Sequence, residues 1–404
     1  MKAVMYGGGN IGRGFIGMLL SASGYEVTFV DVVEAVINTL NTEHTYPVRI
    51  ISNEGHQDIN VQNVSAVNGN DVTAVAEAIA QADIMATAVG VNVLKFIIPN
   101  LVAGIRLRKE RGCPPFNIII CENLMDANKV IEGMLKAHLT KEEQAWFDEN
   151  IGLVEASIGR MVPVQTEEMK DGNPLRVCVE SYGYLPVDKD AFKGEIPQIK
   201  NMVPFSPFDF YLKRKLYIHN MGHATCAYLG DLLGLEYIYE AIDVDEIYII
   251  VKNAMQESAQ ALAKKYGVEL ADILKHITDL LYRFTNAALR DTCKRVGGDP
   301  NRKLSPQDRL IGSSSLALQT GIVPAYIAIG AAAGLHRYIN EAEGMEQTME
   351  NAASVLREVS QLDTDGQLAK LILGMYERIC NGATLKQLRK AADDITAKNT
   401  QNVI

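Results

Sequence analysis

A glycine-rich turn near the N-terminus limits the fold of this chain more than any other feature. The apolar run from Lys2 to Tyr6 ends at GGGNIGRG (7–14), a helical pattern follows, and a second apolar run ends at Asp31. Strand, G-x-G-x-x-G turn, helix, strand and acid, in that order, are typical of the first half of a dinucleotide-binding sheet. The sequence therefore predicts an α/β fold that starts with a doubly wound parallel sheet of the Rossmann type.

Each part of this turn has a role in holding a dinucleotide. Gly7 permits the tight turn, Gly9 lets the backbone approach a pyrophosphate, and Gly12 lets the helix pack on the strand. The free N–H groups at the start of the helix attract the diphosphate. Asp31 would accept hydrogen bonds from both ribose hydroxyls and repel a 2′-phosphate, which favours NAD over NADP. The cofactor-binding residues predicted from this motif are Gly7, Gly9, Asn10, Ile11, Gly12 and Asp31.

Length and composition set the broad class of protein. The 404 residues exceed what one small core holds, so two domains are expected, at 1–200 and 201–404, with the boundary in the proline-containing tract 194–207. Hydrophobic residues at 48% and charged residues at 22% are typical of a soluble globular protein. The net charge of −10 argues against an extended nucleic-acid surface but leaves room for a small basic pocket.

Targeting signals and metal-binding patterns are missing from the sequence. The chain enters a strand without a signal-peptide pattern, and its most apolar tract, 322–335, is too short and too interrupted to span a bilayer. The six cysteines are scattered, with no CxxC and no histidine-rich spacing, which is the usage of a reduced protein without a zinc site. A cytoplasmic protein with no membrane partner and no metal is therefore expected.

The rest of the first half adds a hairpin and a second cofactor candidate. Residues 45–67 alternate between apolar and polar around an Asn-Glu-Gly turn, which predicts extra strands in a hairpin at the sheet edge. A buried strand ends in the turn 87–90, and such a strand end normally passes beneath the nicotinamide half of the cofactor. Thr87, Val89 and Gly90 are therefore candidate cofactor contacts, although an ordinary strand-to-helix turn fits equally well.

The next buried strand leads to an asparagine. The apolar run 117–121 is followed by Glu122 and Asn123, and open parallel sheets place ligands at the C-terminal ends of their strands. A buried Asn123 at this place has an NH2 group to direct at a substrate oxygen. The alternative is that Asn123 caps a helix that begins at Leu124.

The second half has a helical pattern, and one helix carries three polar residues on one side. The predicted helices cover 208–230, 242–266, 268–283, 315–335 and most of 340–395. In a regular helix, Lys215, Asn220 and His223 lie within an arc of roughly 140°. A lysine desolvated there has a lowered pKa, which suits proton transfer near neutrality. The alternative is a surface lysine beside a hydrogen-bonded core asparagine and histidine.

A basic segment interrupts these helices. Residues 290–309, RDTCKRVGGDPNRKLSPQDR, carry six lysines and arginines in a chain that is acidic as a whole. Such a density of basic side chains can hold a phosphate group. A solvated loop rich in charges fits the same pattern equally well. The candidates for binding a substrate phosphate are Arg295, Arg302, Lys303 and Arg309.

Taken together, these motifs resemble the polyol-specific long-chain dehydrogenases, the mannitol dehydrogenase family. The resemblance runs from the first strand past residue 310. The Lys-x4-Asn-x2-His motif is specific to this family, whereas the glycine turn is shared with many others. The matching stretches are GGGNIGRGFIG (7–17), ADIMATAVG (82–90), IIICENL (118–124), RMVP (160–163), FKGEIP (192–197), KRKLYIHNMGHATCAYLG (213–230) and RKLSPQDRLI (302–311).

The resemblance implies metal-independent hydride transfer between NAD(H) and a polyol phosphate, with fructose 6-phosphate and mannitol 1-phosphate as the pair, in a monomeric protein. It makes Lys215 the general acid/base and gives His223 the positioning of the substrate. It implies that Asn123 and Asn220 hold the substrate oxygen. The family usually has aspartate where this chain has Gly159, which loosens the substrate assignment. There are two alternatives. The chain could be a related dehydrogenase that acts on an unphosphorylated polyol or hexuronate, or it could be a non-catalytic NAD(H)-binding regulator.

Overall fold

The computed structural model describes residues 1–124 and 126–401. The chain divides into two compact units, Met1–Asp209 and Phe210–Ile404. The division follows directly on the proline-containing tract 194–207. The first unit is α/β, and the second is helical.

A six-stranded parallel sheet forms the centre of the first unit. Its strands are β1 (Lys2–Tyr6), β2 (Glu26–Asp31), β5 (Val64–Asn68), β6 (Ile84–Thr87), β7 (Phe116–Ile120) and β8 (Ile151–Glu155). They run in the order β5-β2-β1-β6-β7-β8, so the direction of strand addition reverses at β1. This is the order of a doubly wound dinucleotide-binding sheet, so the predicted fold class is confirmed. Such sheets bind ligands at the C-terminal strand ends beside the reversal, here β1 and β6.

Both faces of this sheet are buried. On β1, Ala3 and Met5 belong to one hydrophobic cluster, and Val4 and Tyr6 belong to the other. Strands buried on both faces read as continuous apolar runs rather than alternating ones, which is why the sequence marks them clearly. The helices of the first unit are α1 (Met18–Ala22), α2 (Glu34–Glu43), α3 (Val72–Gln81), α4 (Leu94–Glu110), α5 (Ala127–Lys136), α6 (Lys141–Asn150) and α7 (Glu167–Lys170).

The hairpin predicted within 45–67 forms, but its place differs from the prediction. Strands β3 (Thr45–Ser52) and β4 (Gly55–Gln62) pair antiparallel and build a separate three-stranded sheet with β9 (Val177–Val179). The edge of the main sheet is β5. Within the hairpin, Tyr46 is buried, and its ring packs edge to face against Phe29 of β2 with the ring centroids 5.7 Å apart. A parallel pair, β10 (Leu185–Asp188) and β11 (Met202–Phe205), completes the strands of the described chain.

From Asp209 onward, the regular elements of the described chain are helical. A π-helical turn, Lys215–Asn220, joins the first two helices. The helices are α8 (Asp209–Arg214), α9 (Met221–Leu232), α10 (Ile238–Ile242), α11 (Asp245–Tyr266), α12 (Leu270–Phe284), α13 (Cys293–Gly297), α14 (Pro300–Lys303), α15 (Ile311–Gln319), α16 (Ala325–Glu341), α17 (Met349–Glu358), α18 (Gln367–Cys380) and α19 (Leu385–Gln401). Within the described ranges, none of these helices is both long and apolar enough to cross a membrane.

Two predicted elements of the second unit are corrected. The single helix expected at 315–335 is two helices, α15 and α16, because Gly321 adopts a left-handed φ of +78° and Pro324 starts the second helix. The backbone N–H groups of Tyr326 and Ile327, at the start of α16, donate to the buried carboxylate of Glu257 at 2.9 and 3.0 Å. The basic segment 290–309 is also more ordered than a loop, since it contains α13 and α14.

Candidate active site

The glycine turn has the geometry that a close-packed nucleotide loop requires. Gly7 has a left-handed φ of +104°, and a Cβ on Gly12 would overlap the carbonyl oxygen of Gly7. Nothing lies within 4 Å of where a Cβ on Gly9 would be, so the space above Gly9 is open. Gly9 and Asn10 are exposed, and Ile11 is half-buried at the start of the following helix. The first turns of that helix, Gly12–Gly17, are π-helical rather than α-helical as expected.

Asp31 holds the glycine turn in place. Its Oδ2 accepts a hydrogen bond from the backbone N–H of Gly8 at 2.8 Å. Its Oδ1 accepts from the backbone N–H groups of Val32 and Val33 at 2.7 and 2.9 Å. The carboxylate therefore ties the end of β2 to the loop after β1 and is fixed in orientation before any ligand arrives. A carboxylate offers about four lone-pair positions, so it keeps acceptor capacity for a ribose hydroxyl.

A buried glutamate, to which the sequence pattern assigned no role, supports the turn after β6. Glu122 is 8% exposed, and its two carboxylate oxygens accept from the backbone N–H groups of Val89 and Gly90 at 2.9 and 2.8 Å. Gly90 has a φ of +89°. Thr87 is fully buried, and its hydroxyl makes no hydrogen bond within the described chain. Glu122, which follows the neighbouring strand β7, therefore fixes the predicted cofactor turn through two backbone hydrogen bonds.

The position of Asn123 differs from both predictions, a buried asparagine and the cap of a helix that begins at Leu124. It is exposed, whereas a buried asparagine was expected. It also does not begin a helix at Leu124, because α5 begins at Ala127 and its N-cap residue is Asp126. The physical reason is that Glu122 is the polar side chain buried at this strand end, and the chain turns outward after it. Met125 lies outside the described residues.

The π-helical turn in the second unit brings the predicted catalytic residues onto a narrower face than a regular helix would. A π turn bonds residue i to i+5 and advances by roughly 80° per residue, compared with about 100° for an α-helix. Over the five steps from Lys215 to Asn220, this difference turns Asn220 and His223 about the helix axis relative to Lys215. Lys215, Asn220 and His223 then share an arc of roughly 60°, by the same geometry. All three side chains keep partial solvent exposure.

Lys215 lies in surroundings that weaken its proton affinity. Burial lowers the pKa of its amine to about 8, and the positive charge of Arg309 acts in the same direction. Lys215 makes no hydrogen bond or ion pair within the described chain. The neighbouring Tyr217 connects this turn to the segment that carries Arg309, because its hydroxyl donates to the Gln307 carbonyl at 3.2 Å. A lysine with such a pKa exchanges a proton readily near neutral pH.

His223 is held between an aromatic ring and an acid. Its imidazole stacks on Phe284, with ring centroids 4.8 Å apart and planes 17° apart. Its Nε2 is buried and lies 3.4 Å from Oδ2 of Asp291. Asp291 is 9% exposed and accepts a second contact from the guanidinium of Arg295. Asp291 was not predicted as a site residue, because in the sequence it is one acid within a basic segment.

The four residues predicted to bind phosphate divide into two groups. The three arginines are ion-paired with acids of their own segment. Arg295 pairs with Asp291, Arg302 with Asp299 and Asp308, and Arg309 with Asp308. Lys303 is different: it is 5% exposed and has no hydrogen bond or ion pair within the described chain. Burial, followed by the charges of Arg309 and Arg302, lowers its pKa to about 8.

Among residues 1–124 and 126–401, no three side chains of His, Cys, Asp or Glu are grouped so that they could hold a metal ion.

Comparisons with known proteins agree with this architecture. Residues 1–201 match the family model of the mannitol dehydrogenase Rossmann domain, and residues 208–395 match that of the mannitol dehydrogenase C-terminal domain. A D-sorbitol dehydrogenase in substrate-free form superposes with a TM-score of 0.78 at 16% identity, over 96% of this chain and 94% of that chain. The Pseudomonas fluorescens mannitol 2-dehydrogenase, in a ternary complex with NAD and D-mannitol, gives 0.73 at 14% identity, over 96% and 93%. At these identities, the similarity shows a shared fold.

Proposed function

This chain belongs to the mannitol dehydrogenase family, and from that premise we propose that it is an NAD-dependent dehydrogenase that interconverts mannitol 1-phosphate and fructose 6-phosphate, the activity of a mannitol-1-phosphate 5-dehydrogenase. The observation that carries the proposal is Lys215, whose pKa is lowered to about 8 on the helix face that also presents Asn220 and His223. An amine, an amide and an imidazole on one face can transfer a proton, stabilise an oxyanion and orient a polyol.

The residues of the glycine turn fit a dinucleotide. The left-handed Gly7 and the close contact of Gly12 bring the helix start to the strand end, and the open space over Gly9 admits a pyrophosphate. The carboxylate of Asp31 lies at the end of β2, where a ribose hydroxyl is bound in this type of sheet. NAD is the cofactor proposed, because a carboxylate there repels the 2′-phosphate of NADP.

The mechanism assigns one role to each side chain. NADH, when bound, supplies the hydride that reaches C2 of fructose 6-phosphate. Lys215 in its ammonium form donates a proton to the carbonyl oxygen as negative charge grows there, and the Asn220 amide donates a hydrogen bond to the same oxygen. The family resemblance gives Asn123 of the first unit the same role as Asn220. In the oxidation of mannitol 1-phosphate, neutral Lys215 accepts the proton of the alcohol.

Lys303 supports a phosphorylated substrate. A buried ammonium that makes no hydrogen bond or ion pair is costly, and a phosphate oxygen would satisfy it. The charge of Arg309 influences the pKa values of both Lys303 and Lys215, so the three cations share one neighbourhood. Arg295 and Arg302 contribute less support, since acids of the same segment already pair with them.

Replacing Lys303 with alanine tests the phosphate assignment. We expect KM for fructose 6-phosphate to rise roughly 10- to 100-fold, because a hydrogen bond to a charged group contributes about 1.5–3 kcal/mol. KM for NADH should not change. Lys294→Ala is the matched control, because Lys294 lies in the same segment and is exposed. Steady-state kinetics of both variants provide the measurement, and an unchanged KM for the sugar phosphate in Lys303→Ala would remove that residue from the proposal.

A related dehydrogenase of a free polyol or hexuronate is the second candidate. Two observations favour it. First, Arg295, Arg302 and Arg309 of the basic segment are ion-paired with acids of that segment. Second, a Cβ on Gly159 would lie 3.0 Å from the Tyr182 ring, so the family aspartate has no room here without a shift of that ring. The test is NADH oxidation with fructose 6-phosphate, fructose and a keto-hexuronate in parallel. Turnover with fructose 6-phosphate alone supports the proposal, and turnover with another sugar alone replaces it. NADH binding without turnover of any sugar would indicate a regulator.

We expect a cytoplasmic monomer with two domains, at 1–200 and 201–404, whose partners are the cofactor and a small sugar phosphate. Sedimentation of the purified protein measures the oligomeric state directly.

A further inference from the structure

An aspartate and an arginine outside the Lys-x4-Asn-x2-His motif converge behind its histidine. Oδ2 of Asp291 lies 3.4 Å from Nε2 of His223, and Oδ1 accepts from Nε of Arg295 at 2.8 Å. Asp291 is 9% exposed, and Nε2 of His223 is buried with no other polar partner in the described chain. The two oxygens of one buried carboxylate thus face two different side chains, the His223 imidazole on α9 and the Arg295 guanidinium on α13.

The backbone holds Asp291 rigidly in this position. Its carbonyl accepts from the N–H of Ile238 at 2.8 Å, and the N–H of Cys293 donates to the carbonyl of Glu236 at 2.8 Å. The side chain of Thr292 caps α13 by accepting from the N–H of Arg295 at 3.2 Å. The segment is fixed on both sides of Asp291, so the carboxylate cannot follow the imidazole if the ring turns.

We propose that Asp291 is the positioning residue of His223: it selects the tautomer that carries a proton on Nε2, and Arg295 anchors it there instead of binding substrate phosphate. This inference rests on the proposed function, because the role of His223 comes from that proposal. Stacking on Phe284 fixes the plane of the His223 ring, and Asp291 fixes which edge of that ring is buried, the edge that carries Nε2. Contacts of this kind are often long without substrate and shorten in the reacting complex.

The tautomer of His223 determines how its exposed nitrogen meets the substrate. The His223 side chain keeps 14% exposure while Nε2 is buried, so the exposed part of the ring is the remainder, which includes Nδ1. With the proton held on Nε2, Nδ1 of the neutral ring is an acceptor. It can therefore accept a hydrogen bond from a hydroxyl of the polyol. If the proton moved to Nδ1, the ring would lose that ability.

Asp291→Asn tests this with little change in shape. The guanidinium of Arg295 can only donate, so it takes the amide oxygen and leaves the amide NH2 facing Nε2. Nε2 then becomes an acceptor, and the proton moves to Nδ1. We expect kcat/KM for the sugar to fall roughly 10- to 100-fold, with KM for NADH unchanged, because one hydrogen bond to the substrate is reversed in direction. In ¹⁵N NMR of histidine-labelled protein, the His223 signals should change from the Nε2–H to the Nδ1–H pattern.

Two further variants separate this inference from the proposed function. Asp279→Asn is the matched control, because Asp279 and Arg283 of α12 form an ion pair of the same i, i+4 spacing. In a His223→Ala background, Asp291→Asn should have no additional effect, since the pair acts as one unit. An unchanged tautomer, or an additive loss in the double variant, overturns the inference. Full activity in His223→Ala instead overturns the role of His223 in the proposed function.

Discussion

Lys215→Ala is expected to lower kcat in both directions by at least ~10²-fold, and up to ~10⁴-fold, while NADH affinity stays unchanged. The variant removes the proton donor for the forming alkoxide and leaves the glycine turn, which belongs to the first unit, untouched. The amine has no structural partner in the described chain, so its loss should not affect folding. Steady-state kinetics for kcat and NADH fluorescence titration for affinity provide the measurements.

The pH dependence of the wild type gives the same lysine an independent signature. Burial, together with the charge of Arg309, lowers the pKa of Lys215 to about 8. Reduction needs the ammonium, so its rate should fall as pH rises through about 8; oxidation needs the neutral amine, so its rate should rise over the same range. Lys213→Ala, at the end of the preceding helix α8, is the control and should stay within roughly twofold of wild type. Retained turnover in Lys215→Ala, or a matching loss in Lys213→Ala, would contradict the assignment.

The sheet could be predicted from the sequence because its information is local. Strands buried on both faces give continuous apolar runs, and the glycines of the turn stand at fixed offsets from Asp31. The pairing of β3 with β9 could not be predicted, because β9 lies far along the chain and its sequence does not indicate which strand it pairs with. Gly321 and Pro324 could have indicated a break between two helices. The apolar pattern continues on both sides of them, however, and it favoured a single helix.

The motif residues of the candidate site could be predicted from the sequence, whereas the residues that hold them in position could not. The spacing of Lys215 and His223 placed both on one helix, but a period of 3.6 residues cannot show the π turn that narrows their arc. Glu122 and Asp291 support other residues through contacts between distant parts of the chain. Neither has a sequence pattern of its own. Their roles depend on burial and on which backbone N–H or ring nitrogen lies opposite, and only the folded chain supplies that information.

Gly12→Ala is expected to abolish detectable NADH binding and to destabilise the first unit. Gly12 is helical, so the alanine meets no conformational strain of its own; its Cβ instead overlaps the carbonyl oxygen of Gly7 and lies 3.4 Å from the Cε of Met5. Because the obstacle is backbone, the helix must move away from β1, and the N–H groups that would face the diphosphate move with it. The cost should exceed the ~1–3 kcal/mol of ordinary overpacking. For a unit of this size that lowers Tm by roughly 5 °C or more.

Two other glycines separate packing from cofactor approach. Gly133→Ala, in α5, meets nothing within 4 Å and should be neutral or slightly stabilising, by ~0.5–1 kcal/mol. Gly9→Ala also has open space around its Cβ, so it should keep the wild-type Tm but weaken NADH binding, because the methyl group stands where the pyrophosphate approaches. Circular dichroism gives Tm without cofactor, and fluorescence titration gives the NADH affinity of each variant. If Gly9→Ala bound NADH like the wild type while Gly12→Ala lost only stability, the turn would be a packing motif, and the cofactor site would have to be sought elsewhere in the first unit.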